Sequence, residues 1–201
     1  MRPTGTPWSV RSERPVYDNP WISVREYQAT APTGAPALYG VVSFKNLAIA
    51  VLPLHEDGTV TLVGQHRFPL KDYAWEVPEG GGALDVDPLQ SARRELREET
   101  GLEASDWRQV LVCQLSNSVT DERGICFIAT GLTQAETDPD PTESIAVVRV
   151  PFREALEQAA CGGIQDTLSV AILLRAYHMA SEGELPARLA KAMLRRSGET
   201  R

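Results

Sequence analysis

The densest chemistry in the chain lies in WEVPEGGGALDVDPLQSARRELREETGL, Trp75 to Leu102. Glu95, Glu98 and Glu99 fall within five consecutive positions. Spaced three and four residues apart, they share one face of a helix, where like charges repel. They also sit just before Gly101, and the C-terminal end of a helix disfavours anions through its macrodipole. Charge placed against both preferences needs neighbouring cations or a bound ion. Arg93, Arg94 and Arg97 alternate with the glutamates, so a solvated, salt-bridged surface helix is one reading. The other is a cation site. An all-oxygen donor set suits a hard ion such as Mg2+ or Mn2+, held by carboxylates while substrate phosphates complete its shell.

The elements that must position these groups are partly legible. Asp87 is placed to cap the helix, Pro88 occupies its first turn, Gln90 completes a capping-box pattern, and Gly101 suits a left-handed C-terminal position. Leu89, Ala92 and Leu96 recur at spacings of three and four, which fixes a buried stripe and turns Glu95 and Glu99 toward its edge. Upstream, the strand YAWEVP runs into EGGG, read as a loop whose backbone can approach a ligand closely. This loop lacks the Gly-Lys-Ser/Thr ending of a Walker A sequence and the GxGxxG spacing of a dinucleotide fold.

The first dozen residues read as a loose tail. From Val16 strands follow: VYD, WISVREYQ, then the turn APTGAP, ALYGVVSF and LAIAVLPL, with TVTLVGQ as the hairpin partner of LAIAVLPL across the turn HEDG. DWRQVLVCQL, GICFIATGL and ESIAVVRV add strands after the charged helix. FREALEQAA, DTLSVAILLRAYHMA and PARLAKAMLRR read as helices, the second capped by Asp166 and packed through Leu168, Ala171, Leu174 and Tyr177. The expectation is a mixed sheet flanked by helices, α/β or α+β.

With 201 residues, 42% of them hydrophobic, the chain can bury a sizeable core. A net charge of −7 argues against nucleic-acid and anionic-membrane partners, and an anionic substrate would need help from a metal. The N-terminus MRPTGTPWSV lacks the apolar core of a signal peptide, which makes a cytoplasmic protein the default expectation. Cys113, Cys126 and Cys161 are odd in number and widely spaced, and they read as reduced core residues.

Gly80 followed by RELREETGL, with Arg94, Glu95, Glu98, Glu99 and Gly101 in register, resembles the Nudix box. The resemblance implies a Nudix fold, an α/β/α sandwich around a mixed sheet, and hydrolysis of a nucleoside diphosphate linked to another moiety. It implies Glu95 and Glu99 as principal metal ligands, with Glu98 and the backbone carbonyl of Glu79 as further ones, and Arg94 as the residue that orients the glutamates. One position departs: the glutamate expected six residues after Gly80 falls on Val86, between Asp85 and Asp87.

LVGQHRFPLKDYAWEVPEGG is similar to the ADP-ribose pyrophosphatase branch of that family, and the likeness spans roughly residues 16 to 180, including IQDTLSVAILL. In that branch two aromatic residues flank an adenine, often across a homodimer interface, and Trp21 and Tyr39 match them in order and spacing around the turn Pro32-Thr33-Gly34. The competing reading is two strand residues packing on their neighbours. Arg67 is the candidate contact to substrate phosphate, because its planar fork engages two oxygens. Glu76 is placed to support the metal site or to form an ion pair with Arg67. His66 receives no role. The resemblance puts the general base at Glu143, with Asp121 and Glu122 as competitors, and LSNSVTDE lacks a proline common at that place in the branch. A hydrolase of another nucleotide sugar and a non-catalytic nucleotide-sugar sensor are the alternatives. The implied division is an N-terminal tail and strand subdomain, 1–45, before a hydrolase domain, 46–201.

Overall fold

The computed structural model describes residues 5, 7–135 and 144–195. Among the described residues three sheets and four helices build a mixed α/β fold, as expected. β1 (Ser9–Asp18), β2 (Ile22–Thr30) and β3 (Pro36–Phe44) form an antiparallel N-terminal sheet. β1 corrects the expectation of a loose tail over the first dozen residues: the segment from Ser9 pairs with β2 along its length. All of its residues are exposed and Pro15 lies within it, so no apolar periodicity marks the strand in the sequence and its pairing with β2 defines it.

β4 (Asn46–Pro53) is an inner strand of the four-stranded sheet. It lies between β7 (Glu79–Ala83), antiparallel, and β9 (Arg123–Gln134), parallel, and β8 (Leu102–Gln114) closes the sheet beyond β9. Both faces of this mixed sheet are covered at β4, which reads accordingly as an almost continuous apolar run. Ile49 and Val51 pack on one side with Ala92 and Leu96 of α1 (Pro88–Thr100). Ala50 and Leu52 pack on the other with α2 (Phe152–Cys161), α3 (Thr167–Ser181) and α4 (Ala187–Met193).

β5 (Thr59–Arg67) is not the hairpin partner of β4. After the turn at Gly58 the two strands meet in one bridge, Leu54 to Val60, and diverge. Both edges of β4 are already taken by β7 and β9, so β5 forms a separate sheet between β10 (Ala146–Pro151) and β6 (Asp72–Glu76).

Two packing expectations also change. α3 buries Leu168, Ile172, Leu173, Ala176 and Met179, whereas Leu174 and Tyr177 are exposed. Successive three-residue steps rotate a helical stripe by about 60° each, so the Leu168-Ala171-Leu174-Tyr177 series leaves the core. Of the three free cysteines Cys126 is buried and Cys113 half-buried, but Cys161 is exposed at the end of α2. No helix among the described residues is long and apolar enough to cross a membrane.

Candidate active site

The box helix starts and stops as its sequence predicts. Asp87 accepts a hydrogen bond from the Leu89 amide at 3.1 Å, Pro88 opens the first turn, and Gly101 takes the left-handed conformation with φ 67°. The EGGG segment, by contrast, is a strand and not a loop. β7 pairs with β4 from Glu79 opposite Ala50 to Ala83 opposite Asn46. Its glycines are needed for side-chain approach: a Cβ on Gly80 would stand 2.2 Å from the Glu95 carboxyl carbon, and one on Gly82 would press on Ile49 and Ser91.

This approach fixes the glutamates. Glu95 and Glu99 are each only 7% exposed. The Glu79 amide donates to Glu99 at 2.9 Å, which ties the C-terminal turn of α1 to the first residue of β7. Arg94 donates to Glu98 at 2.6 Å, to the Gly81 carbonyl at 2.7 Å and to Glu95 at 2.5 Å, so one guanidinium locks the helix carboxylates to the strand. Val86, standing where the box expects a glutamate, sits in the turn before α1. Arg94 is fully engaged without that glutamate.

A second group of carboxylates faces the same place. Arg67, at the end of β5, grips Glu76 with its Nε and Nη2 atoms and reaches Glu79 at 2.7 Å. Thus Arg67 and Glu76 form the ion pair that the sequence offered as one alternative. Asp166 caps α3 by accepting from the Ser169 amide at 2.7 Å. The Ser169 hydroxyl in turn accepts from the Val77 amide at 2.9 Å, which holds α3 against the corner between β6 and β7. Carboxylate oxygens of Glu76, Glu79 and Asp166 lie within 4.8 Å of one another. Burial, reinforced by the charges of Asp166, Glu76 and Glu99, holds the Glu79 carboxyl well above the usual carboxylate range despite the opposing pull of Arg67. Burial alone would lower the Arg67 pKa, but Glu76 and Glu79 raise it.

Sequence reasoning assigned Asp166 only to the helix cap. A cap uses one carboxylate oxygen, and the second is the signal it missed. The donor chemistry fits a hard cation: every candidate ligand is an oxygen, and Arg67 is the one cationic side chain among the described residues lining the cavity.

That cavity, about 410 Å³, is lined by Trp21, Asn46, Arg67, Glu79, Glu122 and Asp166 among others. Trp21 stands at its rim, 67% exposed. Tyr39 lies elsewhere: its hydroxyl donates to the Ser118 carbonyl, its ring meets Trp8 edge-on at 5.3 Å, and it lines a separate aromatic cavity with Tyr27. One chain therefore does not bring Trp21 and Tyr39 together. Glu98 and Arg94 line a different groove, on the flank of α1. Burial and the neighbouring Asp121 push the Glu122 carboxyl upward, while Asp121 itself accepts from the Phe44 amide at 2.9 Å. Glu143 lies outside the described residues. His66 stacks edge-on with Tyr73 and does not line the cavity.

The NUDIX domain model matches residues 45–167, and the model of the nucleoside diphosphate sugar hydrolase N-terminal domain matches residues 8–42. Among curated relatives, an ADP-ribose pyrophosphatase of Mycobacterium tuberculosis is 29% identical over 81% of this chain and 79% of its own. A GDP-mannose pyrophosphatase of Yersinia enterocolitica is 31% identical over 82% of this chain and 92% of its own. The crystal structure of an ADP compounds hydrolase superposes with a TM-score of 0.80 at 16% identity, covering 92% of this chain and all of that one, a likeness of fold. The family-model match spans more than half of the chain and includes every carboxylate of the box, so this chain belongs to the Nudix family.

Proposed function

We propose that the protein is a Mg2+-dependent pyrophosphohydrolase of nucleoside diphosphate sugars, with ADP-ribose the foremost substrate, giving AMP and a sugar phosphate. The observation that carries this reading is the carboxylate cluster of Glu76, Glu79 and Asp166, tied to the box helix by the Glu79 amide on Glu99, beside a cavity with Arg67 in its wall and Trp21 at its rim. The relatives' activities, on ADP-ribose and on GDP-mannose, support the same class of substrate and make another nucleotide sugar the second reading.

In this proposal the Glu79 carbonyl with Glu95, Glu98 and Glu99 holds Mg2+ or Mn2+. The ion when bound neutralises the diphosphate and lowers the pKa of water. Arg94 keeps the helix carboxylates in position. Arg67 exchanges part of its pairing with Glu76 and Glu79 for a phosphate oxygen and stabilises charge on the leaving side. Trp21 offers its exposed face to the base, and Tyr39 of a second copy in a homodimer is assigned the opposite face. Glu143 is assigned as general base. Glu122 is its competitor, since it lines the cavity, where burial and Asp121 push its carboxyl upward. The intact trio Glu95, Glu98 and Glu99 counts against a binding-only sensor. We place the protein in the cytoplasm.

The test is a Mg2+-dependent hydrolysis panel of ADP-ribose, ADP-glucose, GDP-mannose and dinucleotides. Turnover of ADP-ribose above the others is expected. Binding of a nucleotide sugar without turnover of any substrate would overturn the enzyme reading in favour of the sensor.

A further inference from the structure

In the antiparallel register of β5 and β6, Val63 stands opposite Glu76, Gln65 opposite Ala74 and Arg67 opposite Asp72. Opposite residues share a face of the sheet, as do alternate residues along a strand, so Gln65, Arg67 and Glu76 project to the same side. His66, Tyr73 and Trp75 project to the other, where their rings meet edge-on in series. Gln65 and Ala74 lie midway between the levels of Arg67 and Glu76, so the ion pair that joins those two closes over Gln65. Gln65 is 9% exposed, and its amide nitrogen is buried with no hydrogen-bond partner among the described residues. A buried donor left unpaired lowers stability, and folded chains seldom keep one without a use. The ion pair above it has a difficulty of its own. Arg67 commits Nε and Nη2 to Glu76, and Nη2 also to Glu79. Once Arg67 turns to a substrate phosphate, Glu76, 3% exposed, becomes a buried carboxylate short of its countercharge.

We propose that Gln65 is a positioning residue that relieves Arg67: its amide donates to the Glu76 carboxylate when the Arg67 guanidinium moves to a phosphate oxygen of the substrate. This role rests on the function proposed for the protein, in which Arg67 meets the diphosphate. In the free protein the guanidinium already occupies both oxygens of Glu76, which leaves the amide idle. On binding, Arg67 gains a phosphate oxygen and Glu76 keeps a donor, so neither charge is stranded. The unpaired amide is therefore a standing loss of stability in the empty site that lowers the cost of capturing the ligand.

The affinity of the full chain for ADP-ribose, read by calorimetry in metal-free buffer, is compared for the wild type, Gln65→Leu, Glu76→Gln and the double variant. A melting curve and the kcat and KM of ADP-ribose hydrolysis with Mg2+ accompany each. Leucine removes the donor at similar volume, so Gln65→Leu is expected to melt at or above the wild-type temperature while binding ADP-ribose about tenfold more weakly, the order of one hydrogen bond to a charged group. KM is expected to rise with the same trend and kcat to stay within about twofold, since the exchange accompanies binding. In the Glu76→Gln background no buried charge needs the donor, and the effect of Gln65→Leu is expected to shrink to about twofold or less. Wild-type affinity in Gln65→Leu overturns the proposal. A lower melting temperature also overturns it, as the mark of a donor already used in the free protein. So does an undiminished loss of affinity in the Glu76→Gln background, which would put Gln65 on the ligand itself. A wild type that binds ADP-ribose without hydrolysing it fails the hydrolase reading alone, and the four affinities still decide the role of Gln65.

Discussion

Gly80→Ala isolates the geometry of the candidate metal site from the stability of the fold. The added methyl would lie 2.2 Å from the carboxyl carbon of Glu95 and 2.3 and 2.4 Å from its two oxygens, against the 3.4 Å or more of ordinary contact. The carboxylate must therefore retreat by about 1 Å. Gly80 is not in a left-handed conformation, so alanine fits its backbone, and the group that yields is the far end of a flexible side chain. Alanine also narrows the unfolded ensemble, worth about 0.4–1 kcal/mol, which offsets part of the local cost. The melting temperature is expected to stay within about 4 °C of the wild type. Catalysis has no such slack: displacement of a positioning group by about 1 Å costs on the order of 10²-fold, close to 2.7 kcal/mol of barrier. The assay is the initial rate of ADP-ribose hydrolysis across a Mg2+ series, paired with a melting curve. Gly40→Ala serves as control, since nothing lies within 4 Å of its added methyl. A folded Gly80→Ala enzyme with wild-type rate and Mg2+ dependence would refute the assignment of Glu95 to the metal site.

Glu99→Gln keeps the shape and the oxygen that accepts from the Glu79 amide while removing one charge from the cluster. A rate loss of roughly 10²–10³-fold with an unchanged or higher melting temperature is expected, and equal activity would remove Glu99 from the site. Leu96→Ala empties a fully buried position between α1 and β4, with an expected loss of about 2–5 kcal/mol, measured by denaturant unfolding. Asp57→Asn addresses acid stability. Burial works to raise the Asp57 pKa, but hydrogen bonds from Thr59 and Arg149 prevail and bring it to about 2, below the ordinary 3.8. Its contribution is thus present above about pH 4 and lost as the pH falls through about 2, so the stability gap between wild type and variant should close across that window in a urea series. A gap unchanged from pH 4 to 2 would contradict that linkage.

What the sequence made legible is what local rules dictate. The bounds of α1 follow from Asp87, Pro88 and Gly101, each acting on atoms a few residues away. Burial of Ala92 and Leu96 follows from periodicity in the same turns. What stayed hidden depends on partners distant in the chain. Three glycines carry no strand propensity, so β7 becomes a strand only because β4 offers an edge and Asn46, Ser91 and Glu95 fill the space above it. The separation of β4 from β5 and the buried face of α3 are likewise settled by which surfaces meet. Asp166 reads as a cap in one dimension and as a member of a carboxylate cluster in three.

The bond from the Val77 amide to the Ser169 hydroxyl joins residues 92 positions apart. Glu79, Glu95 and Glu99 close on one another over a short stretch of chain, a contact that loop entropy makes cheap and quick. Asp166 reaches Glu76 and Glu79 only when α3 docks. A nascent or partly unfolded chain can therefore carry an ordered carboxylate helix beside an unfinished cavity. Completion of the acidic cluster reports that the end of the domain has been delivered to its beginning.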